Sequence, residues 1–173
     1  GAQNQVTGNE NIVALGSQNQ VTGNANETTG DFNQTTGNDN AIDGDSNQAT
    51  GNANSIDGVL NQASGNANTL FGAANQANGN FNFVAGLGNQ AVGNENLVGG
   101  VGNQAIGNQN FVGGFSNFVG GNGNAVVGAE NVAVGNDIVV DGEESVAIGD
   151  NAEDSGDQSI AIGHNAAAFG DGN

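Results

Sequence analysis

Along almost the whole chain, one small apolar position and one asparagine recur every seven residues in the pattern N-x-Φ-x-G-x-x, as in "NQVTGNA" and "NLVGGVG". Two such heptads make a unit that repeats every 14 residues. One asparagine column steps through Asn19, Asn33, Asn47, Asn61, Asn75, Asn89, Asn103, Asn117 and Asn131, then gives way to Ser145 and Ser159. Glycines keep the same step from Gly23 to Gly163 and from Gly30 to Gly170. Within a heptad the first four residues alternate, so Asn and Φ share one face and the two intervening residues share the other. Gly at the fifth position turns the corner, where a side chain would obstruct. Each 14-residue unit is therefore one coil of two short strands and two turns, and a fixed period this short implies coils stacked on one another. The expectation is an all-β parallel solenoid, a two-sheet β-roll of about twelve coils spanning residues 1–173 as a single domain. Parallel coils advance roughly 4.8 Å each, so the rod would be about 55 Å long.

The inward face reads out by volume. The Φ position of the first heptad is mostly Ala, as at Ala49, Ala63, Ala77, Ala91 and Ala105. That of the second is Ile42, Ile56, Leu70, Val84 or Val98. A small side chain opposite a medium one keeps a thin core at constant volume, as close packing requires. The asparagines share that inward face. A buried amide is costly unless it is paired, and a stack of identical amides pairs each with the next coil. The first coil is one residue longer than the rest, running from Asn4 to Asn19, with the extra residue near Ala14–Leu15 beside Gly16. It reads as a bulge within residues 1–18.

Charge narrows the partners. The 173 residues include no Lys, Arg, Cys, Met, Trp, Tyr or Pro, and the net charge is −18. Nucleic acid is excluded because nothing neutralises phosphate, and an anionic membrane surface is disfavoured for the same reason. No apolar run is long enough to insert in a membrane. No disulfide can form. The chain starts Gly-Ala, consistent with a removed signal peptide or a cut fragment. Catalytic constellations are missing, His164 stands alone in a turn column, and a two-sheet roll offers no deep cleft, so an enzyme is not expected.

The outward positions differ along the rod. On the first face, early coils carry Gln5/Thr7, Gln20/Thr22, Gln34/Thr36, Gln48/Thr50 and Gln62/Ser64. Late coils carry Phe118, Val132/Val134, Val146/Ile148 and Ile160/Ile162 instead. A contiguous apolar stripe on the outside of a rod marks a partner surface, so these seven residues are the candidate interface. On the second face Asp43 and Asp57 stack on adjacent coils, and Asp45 occupies the following turn column with Asp31. Stacked carboxylates repel, and a hard cation such as calcium would relieve them, which makes Asp43, Asp45 and Asp57 the candidate metal ligands, against the alternative of a solvated acidic strip. A second acidic group runs from Asp137 to Asp157. Phenylalanines gather as Phe71, Phe81 and Phe83 and as Phe111, Phe115 and Phe118, suggesting lateral contact points.

Two families share these motifs. "NQVTGNA" resembles the repeat of the grass ice-binding β-roll. "SVAIGDNAEDSGDQSIAIGHNAAAFGDGN", residues 145–173, resembles the head repeats of trimeric autotransporter adhesins. The latter resemblance implies a left-handed roll and places Val146, Ile148, Ile160 and Ile162 where that family turns apolar side chains toward a threefold axis. Asp154 departs from it, since the family usually has Ala there.

These readings lead to a secreted or cell-surface structural protein that associates with itself, as a filament or surface-fibre subunit, with a host or matrix surface as a further candidate partner. The apolar stripe calls for a partner, and coils with no recognisable capping segment could continue end to end across a subunit boundary. The alternatives are a trimeric adhesin head, for which the Gln-rich first half is too polar, and an ice-binding protein, for which a flat threonine array is needed. No cofactor is required, with calcium the candidate ion.

Overall fold

The computed structural model describes residues 3–172, and the regular structure among them is all β. Twenty-four strands run from β1 (Gln5–Thr7) and β2 (Ile12–Val13) to β24 (Ala167–Ala168). Odd-numbered strands form one 12-stranded sheet and even-numbered strands a second, each in strict order. All pairs are parallel, and the register steps by 14 residues, as in Gln76↔Gln90 and Leu70↔Val84. The first coil alone steps by 15, with Gln5↔Gln20 and Val13↔Thr28. The backbone of Gly16 meets that of Gly30, so the step has returned to 14 by there and the extra residue falls between Val13 and Gly16.

The core is the slot between the sheets. Ala49, Ala63, Ala77, Ala91 and Ala105 line one side and Ile42, Ile56, Leu70, Val84 and Val98 the other, all essentially inaccessible. Where both sides carry threonine, Thr28 and Thr35 share a hydroxyl–hydroxyl hydrogen bond of 3.2 Å. The first coil differs at its inward positions: Val6 is 47% exposed and Val13 only half-buried. No strand precedes β1 among the described residues, so one flank of Val6 is uncovered.

The asparagine columns are buried and saturated with hydrogen bonds. The Nδ2 of Asn68 donates to the Gly79 carbonyl at 2.8 Å and to Asn54 Oδ1 at 3.1 Å. Its own Oδ1 accepts both the backbone N–H and the Nδ2–H of Asn82, at 3.1 and 3.0 Å. This pattern recurs coil by coil in the internal column that ends at Asn124; in the column that ends at Asn131 the backbone N–H to Oδ1 and the Nδ2–H to glycine carbonyl bonds recur, while the amide-to-amide bond is made only at some coils. Beyond them Ile138, Ala152, Ser145 and Ser159 take the inward positions and are equally buried.

Most corners use two left-handed residues, where the repeat predicts one; at Gly142 and Gly156 only the seventh residue, Glu144 or Gln158, is left-handed. The fifth residue of the heptad is glycine, with φ from 102 to 144° over Gly23–Gly135. The seventh is also left-handed and is usually not glycine: Ala25, Phe32, Ser46, Ala53, Leu60 and Phe81 all have φ between 53 and 62°. The glycine column is also demanded by space. A Cβ on Gly51 would overlap the carbonyl oxygen of Gly65 in the next coil.

Candidate interaction surfaces

The proposed apolar stripe lies on one face of the odd-numbered sheet. Four adjacent strands carry it: β17 (Phe118–Asn122), β19 (Val132–Asn136), β21 (Val146–Ile148) and β23 (Ile160–Ile162). The register aligns Phe118, Val132, Val146 and Ile160 in one row and Val134, Ile148 and Ile162 in a second. Odd and even positions of a strand point to opposite faces, so both rows face outward while Ala133, Ala147 and Ala161 fill the core between them. Val132 and Val146 are half-buried by their neighbours along the row. Ile160 and Ile162, on the final strand of the sheet, are 58% and 64% exposed. The seven residues thus form one continuous apolar surface.

Upstream on the same sheet the surface is polar and equally regular. Thr7, Thr22, Thr36, Thr50 and Ser64 form one exposed column in register. The parallel glutamine column is partly laced together: Gln48 donates to Gln34 at 3.0 Å, Gln76 to Gln62 at 3.1 Å and Gln90 to Gln76 at 3.0 Å.

The phenylalanines do not gather as their sequence clusters suggest. Phe71 and Phe83 touch, with ring centroids 5.7 Å apart and planes at 52°. Phe111 continues that surface through Leu97 on the even-numbered sheet. Phe115 lies in a corner column in register with Val101 and Leu87, whereas Phe118 belongs to the other sheet. Phe83, Leu97 and Phe111 thus form a second apolar surface, whose signal in the sequence is three apolar outward positions on adjacent coils.

Asp43 and Asp57 are neighbours on the outer face of the even-numbered sheet, both exposed. Asp45 is used differently: its Oδ1 accepts the backbone N–H of Asp31 at 2.7 Å, and Asp31 in turn accepts that of Ser17 at 2.6 Å. Among the described residues no three acidic or histidine side chains converge, so Asp43, Asp45 and Asp57 do not form one cluster. On the opposite corner the equivalent position carries a third, exposed asparagine ladder. Asn52, Asn66, Asn80 and Asn94 are joined by Nδ2–H···Oδ1 bonds of 3.0, 2.8 and 2.9 Å. Its signal is the Gly-Asn pair that recurs every 14 residues from Gly23-Asn24 onward.

The stacked coils, parallel sheets and internal asparagine ladders define a β-solenoid repeat protein of the β-roll type. Within that class, the sequence profile of the grass antifreeze beta roll matches residues 1–72. It is not an enzyme family. No curated protein matches the chain. The matched segment includes the five coils that carry the Thr and Ser column, and the same repeat continues beyond it to the apolar stripe.

Proposed function

We propose that this chain is a structural β-roll, working outside the cell, that associates with further copies of itself as a filament or surface-fibre subunit through the apolar stripe of its last coils. The observation that carries the reading is the row Phe118–Val132–Val146–Ile160 with its companion row Val134–Ile148–Ile162, seven apolar side chains in register on an outer sheet face. A continuous apolar patch of this kind marks a partner surface rather than scattered exposed aliphatics. A second copy is the favoured occupant. The partner needs a flat apolar surface, and this chain also presents one in Phe83, Leu97 and Phe111 on its other sheet. The test is sedimentation velocity on the native chain and on Val146→Asp/Ile160→Asp. The native chain should be oligomeric and the double variant monomeric, with the same β circular dichroism. A native monomer, or a fully oligomeric variant, would reject the reading.

Ice binding is the second reading. It is favoured by the profile match over residues 1–72 together with the exposed Thr7–Thr22–Thr36–Thr50–Ser64 column on the matched coils. Thermal hysteresis of the native chain tests it directly. Activity lost in Thr22→Lys/Thr36→Lys but kept in Val146→Asp/Ile160→Asp would establish it.

A further inference from the structure

Asp154 is the one carboxylate in the core, and the structure leaves it half-satisfied. It lies on β22 (Glu153–Asp154), in the inward row between Val140 and Ala168, and is fully buried. Its Oδ1 accepts the hydroxyl of Ser159, with the Gly156 N–H a weak 3.4 Å away. Its Oδ2 has no hydrogen-bond partner, alone among the buried side-chain polar atoms of the described residues.

Its neighbours along the row, Val140 and Ala168, are apolar, but from Ser159 a short chain of oxygens runs on to the Gly156 carbonyl and Ser145. Ser145 donates to the Gly156 carbonyl at 2.6 Å, and Ser159 Oγ, whose one proton goes to Asp154, lies 3.2 Å from that carbonyl. These two serines stand in the column that elsewhere carries asparagine, so the amide nitrogens that saturate the core in other coils are missing here. Serine also has two heavy atoms fewer than asparagine. No basic side chain can balance the carboxylate, because the chain has no Lys or Arg and its single His164 is exposed in a turn. A buried charge persists only when it is paired or bound to a metal.

We propose that the last coils hold one hard cation, calcium being the ion to test, with Asp154 as its charged ligand and Ser145, Ser159 and the Gly156 carbonyl as neutral oxygen donors. An all-oxygen set suits calcium. A single carboxylate makes the site weak, in the range of about 10⁻⁴–10⁻³ M common for extracellular modules. The site is separate from Asp57 and Asp43, which are exposed and lie seven and eight coils earlier in the repeat.

The experiment is thermal melting by circular dichroism, with calcium chloride titrated against choline chloride at matched ionic strength. The native chain, Asp154→Asn, Ser159→Ala and Asp43→Asn/Asp57→Asn are compared. The expected result is a saturable rise of about 3–5 °C at about 10 mM calcium in the native chain and in the Asp43/Asp57 variant. It should be lost in Asp154→Asn and weakened in Ser159→Ala. An equal rise in Asp154→Asn would mean that calcium only screens the surface charge, and the proposal fails. It fails equally if the native chain shows no rise, or if the rise is lost in the Asp43/Asp57 variant instead.

Discussion

At the scale of single residues, most corners place two backbone demands side by side. Gly51 has φ 115°, and a Cβ there would strike the Gly65 carbonyl. Two residues later Ala53 has φ 56° in open surroundings. The same pair of amino acids should therefore exchange with opposite signs. Gly51→Ala meets both strain and a backbone clash and is expected to lower stability by about 3 kcal/mol or more. Ala53→Gly relieves a left-handed residue of the 1–2 kcal/mol such a conformation costs, part of which is returned as unfolded-chain entropy, so a gain of about 0.5–1 kcal/mol is expected. Urea denaturation of the two variants checks both signs. The glycine was legible in the sequence because it never varies in its column. The second left-handed position was not, because Ala, Phe, Leu, Ser, Glu and Asp all occupy it and none advertises a positive φ.

At the scale of the element, the unit of stability is the ladder. Asn75 is fully buried, donates to the Phe71 and Gly86 carbonyls at 2.8 and 2.9 Å, and accepts the backbone N–H of Asn89 at 3.0 Å. Asn75→Leu strands those groups in the core, and the loss should be about 3 kcal/mol, read as a fall in the urea midpoint. Adjacent members share bonds, since both the N–H and the Nδ2–H of Asn68 are accepted by Asn54 Oδ1 at 3.1 Å. The double variant Asn54→Leu/Asn68→Leu should therefore cost less than the sum of the singles, by about 1 kcal/mol in a double-mutant cycle. Strict additivity would mean that the amides act independently. The inward placement of the internal asparagines follows from period-two alternation. The outer ladder through Asn52, Asn66 and Asn80 lies past the glycine, where alternation stops and the side-chain direction depends on the turn.

At the scale of the whole molecule, the rod is polar at one end of its odd-numbered sheet and apolar at the other, and it carries net charge −18 throughout. Two such rods meeting at the apolar stripe repel through their surfaces, and salt screens that repulsion. Association should therefore strengthen between about 20 mM and about 300 mM sodium chloride, measured by sedimentation equilibrium. A contact held by charge complementarity would weaken over the same range.

The 14-residue coil, the two parallel sheets, the alternation of Ala against Val, Ile or Leu and the outward stripe from Phe118 to Ile162 were all determined by the sequence itself. Each is a consequence of strict periodicity, which converts a position in the chain directly into a face of the roll. Tertiary structure decided what periodicity cannot encode. It brought the rings of Phe71 and Phe83 into contact, because diagonal outward positions on neighbouring strands come within reach of long side chains. It gave Asp45 a backbone N–H to cap while leaving Asp43 and Asp57 exposed on the surface, because Asp45 lies past the glycine, where the turn and not the alternation aims the side chain. And it sealed Asp154 into a core with one oxygen unpaired, because burial there depends on the coils stacked on either side.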